Sequence, residues 1–317
     1  MEKILCRLMI AWFCCSLTTA MAQDDESTRR QKLAEKLTWL YNMGVEMEQQ
    51  GEYGKAVKCY REFVMLEPDD IIYSRLAICY EELNEYESAL YCIGKAMELA
   101  PEEYDYIYIR ADLLYYTGKC KEAVEAYDEF IEKDPDYWGG YYRRGFMKDN
   151  LNDVDGAIAD YSKAIELNPD LAYSYLGRAD KYLLKGDREA AMSDYRMVVA
   201  LDTIYVENNC AQYAYLALGE VEKAKAFQQE ILALSPSAGH YYDAACLYAR
   251  MGDREASLGY LRKSLEKGFR NFSHIRNDDD LNILRDMQGY KDLMEEYEAK
   301  YKEEQKQQKR SLQLFLP

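Results

Sequence analysis

The sequence predicts an all-α fold, a right-handed α-solenoid of about seven helix–turn–helix units, and three observations carry that prediction. The chain of 317 residues repeats itself with a period of about 34 residues, the length of a two-helix unit. Each period holds two apolar helical stretches separated by a Gly or Asn, the residue types that tolerate the positive φ of a helix stop. Most periods then close on a Pro, which cannot continue a helix. With 49 % apolar and 31 % charged residues, the chain can bury a core and keep a solvated skin.

Taken in order, residues 1–22 read as a secretory signal. Lys3 and Arg7 precede an apolar run from Leu8 to Leu17, and Ala20-Met21-Ala22 forms a small-residue cleavage pattern. The run is too short to span a bilayer, so no membrane span is expected in the mature chain. This pattern places the protein outside the cytoplasm, periplasmic, associated with the cell envelope, or secreted. Residues 23–36 form a charged capping helix. The array then covers 37–271, with units starting at Leu37, Asp70, Tyr104, Trp138, Ala172, Tyr205 and Ala238.

Two positions in each unit must be small where its helices cross. The eighth reads Gly44, Ala77, Ala111, Gly145, Ala179, Gln212 and Ala245. The twentieth reads Ala56, Ala89, Ala123, Ala157, Ala191, Ala224 and Ser257. The fifteenth, at the turn, reads Gly51, Asn84, Gly118, Asn152, Gly186, Gly219 and Gly252. Pro68, Pro101, Pro135, Pro169 and Pro236 follow second helices, whereas Thr203 and Phe269 stand in the corresponding places of two other units. Gln212 and Thr203 point to irregular packing where the fifth unit meets the sixth. Residues 272–302 form a helical cap, its Asp278–Asp280 run suited to a helix start. The Gln/Lys/Glu-rich stretch 303–317 is expected to fray, unless Leu312 to Leu316 dock on the last helix.

In its small, aromatic and Pro positions this pattern resembles the tetratricopeptide repeat, and the cap resembles those that follow bacterial arrays of that family. The resemblance implies a non-catalytic protein-interaction scaffold whose first helices line a concave groove. Carried over position by position, the groove holds Tyr41, Tyr108, Asp112, Tyr115, Tyr116, Tyr142, Phe146, Tyr173, Asp180, Tyr213 and Tyr242, with Arg75 and Arg143 at the adjacent sixth position. Part of the family grips a C-terminal carboxylate with Lys and Asn at the fifth and ninth positions of its first unit; here the fifth position reads Tyr41, Ser74, Tyr108, Tyr142, Leu176, Asn209 and Tyr242, so that clamp is absent and chaperone tails are not implied. Tyr offers contact area and a hydrogen-bonding tip, which suits an extended peptide or partner helix, with basic segments drawn to the acidic side chains. A glycan- or small-ligand-binding module of the periplasm or cell surface is the alternative. Fourteen further tyrosines, Tyr60, Tyr127, Tyr161 and Tyr195 among them, fall at scaffold positions, and nine lie in linkers, outer faces and the cap.

The formal charge of −17 argues against nucleic acid, which requires a basic face. There is no phosphate loop, no His-Glu-x-x-His, no Gly-x-Ser-x-Gly and no Cys-x-x-Cys, so no catalytic residue, metal site or cofactor is expected. The two His, His240 and His274, are read as structural. Beyond the signal lie Cys59, Cys79, Cys92, Cys120, Cys210 and Cys246, read as buried small hydrophobes, with a Cys59–Cys79 bridge as the competing possibility.

Overall fold

A computed structural model describes residues 2–201 and 210–313, with side chains described for 26–201, 210–304 and 306. Among the described residues the fold is an all-α solenoid of paired helices without strands. The helices are α1 (Glu2–Gln49), α2 (Tyr53–Leu66), α3 (Asp70–Glu82), α4 (Tyr86–Leu99), α5 (Asp105–Tyr116), α6 (Cys120–Lys133), α7 (Trp138–Asn150) and α8 (Val154–Leu167). They continue with α9 (Ala172–Leu184), α10 (Arg188–Leu201), α11 (Ala211–Ala217), α12 (Val221–Leu234), α13 (Ala238–Arg250) and α14 (Arg254–Glu266). The closing elements are α15 (Phe272–Asn277), a 3-10 helix (Asp279–Leu284) and α16 (Gln288–Gln313). No helix of the described residues is long and apolar enough to cross a membrane. The chain divides into two compact units, residues 1–106 and 107–317, within what the sequence reads as one run of repeats.

The turns follow from backbone sterics. Gly51, Gly118, Gly186, Gly219 and Gly252 all have φ between 70° and 83°, and Asn84 and Asn152 reach 57° and 60°. They are the only non-Gly residues with positive φ among those described. Asn tolerates this region because its short side chain bonds locally. Entry to the helices uses side-chain caps that accept the orphan backbone N–H groups. Asp69 caps Ile72, Asp153 caps Gly156, Ser237 caps His240, and Asp253 caps Ala256.

Within each pair the small positions allow close approach. Ala77, Ala111, Ala179, Ala245 and the six alanines of the twentieth position are fully buried. A Cβ added at Gly44 would sit 2.3 Å from the Tyr60 ring, so only glycine fits there. Ser257 stays tolerable because its hydroxyl donates to the Ala245 carbonyl at 2.8 Å. Gln212 is accommodated fully buried. The start of the sixth unit, with Thr203 before it and Tyr205 and Asn209 in it, lies outside the described residues. Tyr60, Tyr127, Tyr161 and Tyr195 are among the largest fully buried side chains, each removing roughly 150–250 Å² from water.

Two departures concern the ends. The expected capping helix 23–36 is not a separate element, because α1 runs unbroken from Glu2 to Gln49. At the other end α16 continues to Gln313, so helix covers 303–313, where the sequence suggests fraying; the docking of Leu312 to Leu316 lies outside the described side chains. The six cysteines form no bridge, in agreement with the reading of small hydrophobes; Cys79, Cys92, Cys210 and Cys246 are buried, whereas Cys59 and Cys120 are half-buried, and the Cys79 thiol donates to Glu48 at 3.3 Å.

The cap packs on the seventh pair. Ile275, Leu281, Leu284 and Leu293 are fully buried against Tyr242, Ala245, Leu261 and Leu265. Phe269, where a Pro is missing, stacks on Tyr242 with centroids 4.5 Å apart and planes 5° off parallel.

Candidate functional site

In the first compact unit, α1 and α3 bring two of the expected groove residues together. The Arg75 guanidinium lies 5.5 Å from the Tyr41 ring centroid and pairs with Glu48 at 2.5 Å. That arrangement leaves Arg75 anchored and Tyr41 about one-third exposed, 36 %.

In the second unit the expected residues fall into three neighbourhoods. Tyr108 is enclosed edge-on by Phe130, Tyr127 and Tyr137, at 5.1, 5.6 and 5.8 Å between centroids, and burial pushes its phenol up to about 12. Tyr142 lies 6.1 Å from Tyr161, and burial raises its phenol too. Both side chains serve the packing of their own helix pair more than an open groove. Tyr173, near the start of α9, is exposed.

The second neighbourhood joins inner aspartates to core tyrosines. Asp112 accepts from the Tyr127 hydroxyl and lies 3.5 Å from Arg143 Nε. Asp180 accepts from the Tyr195 hydroxyl. In both cases the ninth position of a first helix is tied to the twenty-fourth of the same unit, fixing the carboxylate's orientation. Burial works against the Arg143 charge; Asp112 outweighs it, and the guanidinium is held above its ordinary range.

The third neighbourhood is where distant helices meet. Tyr115 of α5 lies 5.3 Å from Tyr116 and 5.5 Å from Phe146, and its hydroxyl is 3.4 Å from His274 Nδ1 in α15. Arg250 of α13 reaches Asp180 Oδ2 of α9 at 3.1 Å and Asp280 Oδ1 of the 3-10 helix at 2.8 Å. Its guanidinium also covers the Tyr213 ring at 5.2 Å, while the Tyr213 hydroxyl donates to the Asp243 carbonyl at 3.0 Å. Burial opposes the Arg250 charge, and Asp180 and Asp280 together raise its affinity for the proton.

Tyr242 corrects the sequence expectation. It is 5 % exposed and donates to Asp278 Oδ2 at 2.6 Å, so it belongs to the core under the cap and not to an open groove. A first-helix position is inward-facing only until another segment folds over it, and here Phe269 and Asp278 do so.

Sequence reasoning missed Arg250, Asp243, Asp278, Asp280 and His274 as members of this surface. Arg250 stands at the thirteenth position of its unit, an inward-facing register, so the signal was present. The aspartates read as a helix start in the sequence, and Asp278 does accept from the Asp280 backbone N–H at 2.9 Å while also holding Tyr242. Also missed was a repeat-specific pair. Arg144 forks onto Asp160 at 2.9 and 2.6 Å, and Arg178 onto Asp194 at 2.8 and 2.9 Å, each sixteen residues apart.

Among the groups that titrate away from their usual ranges here are two carboxyls and an imidazole. Burial raises the Asp243 carboxyl to about 7, with His240 opposing and Asp278 adding to it. Burial also raises Asp280, against the pull of Arg250. The His274 imidazole is lowered by burial, against the pull of Asp278. Cys246 Sγ and carboxylate oxygens of Asp278 and Asp280 lie within 4.8 Å of one another. Burial raises that thiol, and Tyr242 and Arg250 donate to the two carboxylates, so the trio stands as a hydrogen-bonded cluster.

Profiles described as tetratricopeptide repeat match residues 40–70, 72–103, 108–145 and 139–171. Among curated proteins, the small glutamine-rich tetratricopeptide repeat-containing protein 2 of Mycosarcoma maydis is 30 % identical over 86 residues, 26 % of this chain and 24 % of its own length. The protein STIP1 homolog of Dictyostelium discoideum is 32 % identical over 104 residues, 32 % of this chain and 18 % of its own. The matched region thus spans about a quarter or less of these relatives. Among solved structures, a tetratricopeptide repeat protein from Parabacteroides merdae aligns with TM-score 0.60 at 16 % identity, covering 79 % of this chain and 99 % of that one. MamA 41-end from Desulfovibrio magneticus RS-1 aligns at TM-score 0.51 and 20 % identity, over 53 % of this chain and 95 % of that one. At these identities the structural likeness speaks for the fold alone.

Proposed function

The chain belongs to the tetratricopeptide-repeat family, and from that premise we propose that it is a non-catalytic scaffold that holds a protein partner on the inner face of its second compact unit. The observation that carries this reading is the convergence of Tyr115, His274, Arg250, Asp180 and Asp280 from elements as much as 159 residues apart. Aromatic tips and charged groups held at fixed positions are what recognition surfaces use. In this reading the cap supplies part of the lining. Carboxylates outnumber guanidinia there, with Asp112, Asp180, Asp243, Asp278 and Asp280 against Arg143 and Arg250, which favours a peptide or helix carrying basic side chains. The signal-like residues 1–22 support a place in the cell envelope or outside the cell.

The test is crosslinking of the full chain in its native envelope, identification of the captured protein, and titration of that partner against wild type and Tyr115→Ala. Affinity should fall at least about tenfold, the scale of a lost aromatic anchor. Unchanged affinity with helix content retained would overturn the inner-face assignment, and capture of glycan with no protein would overturn the scaffold.

A further inference from the structure

The first compact unit carries a cavity that no part of the scaffold reading uses. It has a volume of about 590 Å³ and lies between α2, α3 and α4. Leu76 and Cys92, both nearly fully buried, form its floor together with the rings of Tyr73 and Tyr80. Met65 and Tyr91 stand at its rim, 82 % and 63 % exposed, a large cost in apolar surface for a protein that leaves them uncovered. Cavities of roughly 300–1,000 Å³ with mostly apolar walls and a few polar groups are the usual form of small-ligand sites.

Arg61 supplies the polar group. It lines the cavity, and among the described residues it has no carboxylate partner, whereas neighbouring cations do: Lys36 pairs with Glu62, Lys55 with Glu52, and Arg75 with Glu48. Glu87, also on the lining, has an interaction of its own. Arg61 thus presents a guanidinium without a carboxylate partner beside an apolar hollow. Its influence reaches into the hollow. Burial raises the Tyr80 phenol and pushes the Cys92 thiol up to about 12, and Arg61 pulls against both shifts. The neutral thiol leaves no competing anion at the floor.

We propose that this cavity is a binding site for an amphiphilic carboxylate, its apolar body seated on Leu76, Tyr73 and Tyr80 and its carboxylate forked onto Arg61. The planar guanidinium matches the two oxygens of a carboxylate. This site lies within residues 61–92 and is independent of the inner-face reading.

The experiment titrates the full chain with decanoate, decylamine and 1-decanol below their micellar or solubility limits, using calorimetry and methionine-methyl NMR, with Met65 assigned through Met65→Leu. Decanoate should bind one to one and shift the Met65 methyl resonance, and the other two compounds should bind at least about tenfold more weakly. Arg61→Gln, at an exposed position that the fold tolerates, should weaken decanoate by about the same factor and leave 1-decanol unchanged. Equal binding of the amine or the alcohol, an unmoved Met65 resonance, or undiminished decanoate binding by Arg61→Gln would each overturn the assignment.

Discussion

Asp243 shows how a single side chain couples burial to acidity. Its carboxyl stands near 7 in the folded chain, against about 3.9 for a free aspartate. Between those values the folded state holds a proton that the unfolded chain has released, so this group lowers stability as pH rises from about 4 to about 7. Asp243→Asn should therefore raise the chemical-denaturation midpoint at pH 8 and leave it unchanged at pH 3.5. His274 acts in the opposite sense. With its affinity for protons lowered by burial, its contribution is present at neutral pH and is lost as pH falls and the unfolded imidazole protonates first. At this scale the sequence was readable where one residue meets one requirement: a Cβ at Gly44 has no room, and Asn152 takes a left-handed turn. Tyr242 was not readable, because its burial depends on Phe269 and Asp278, which lie outside its own repeat.

The helix pair is the unit that sequence arithmetic describes best, since its contacts recur at fixed offsets. The turn position fixes where each pair folds back, and at Asn152 the cost of positive φ is borne by a side chain that can bond locally. Asn152→Val should destabilise by roughly 1–2 kcal/mol, because a β-branched residue meets the full left-handed penalty, while Asn152→Gly should be neutral or slightly stabilising. Thermal unfolding of the two variants side by side checks this. The Arg144–Asp160 and Arg178–Asp194 forks belong to the same scale and were equally available in the sequence. They went unread because charge at helix spacing looks like a solvated face until the partner helix is laid beside it.

Across the second compact unit, Arg250 connects α9, α13 and the 3-10 helix through Asp180 and Asp280. Removing it leaves two carboxylates, one of them raised by burial, without their counter-charge. Arg250→Ala should speed amide hydrogen exchange in residues 272–284 and around Asp180, with exchange in residues 53–99 unchanged. Uniform protection in the variant would mean that apolar packing alone positions the cap. This convergence could not be read from the repeat register, which relates a residue to its neighbours in one unit and says nothing of what faces it from two units away.

The ties from Tyr127 to Asp112 and from Tyr195 to Asp180 bind the interior to the inner face. In those two units the acidic character of the face is inherited from the core: the buried phenol selects the acceptor above it. Units that carry Val45 or Phe146 at the ninth position cannot form such a tie. Among descendants of this chain, positions nine and twenty-four of the tied units should therefore drift as couples, so that recognition and folding are heritable together and cannot be tuned apart.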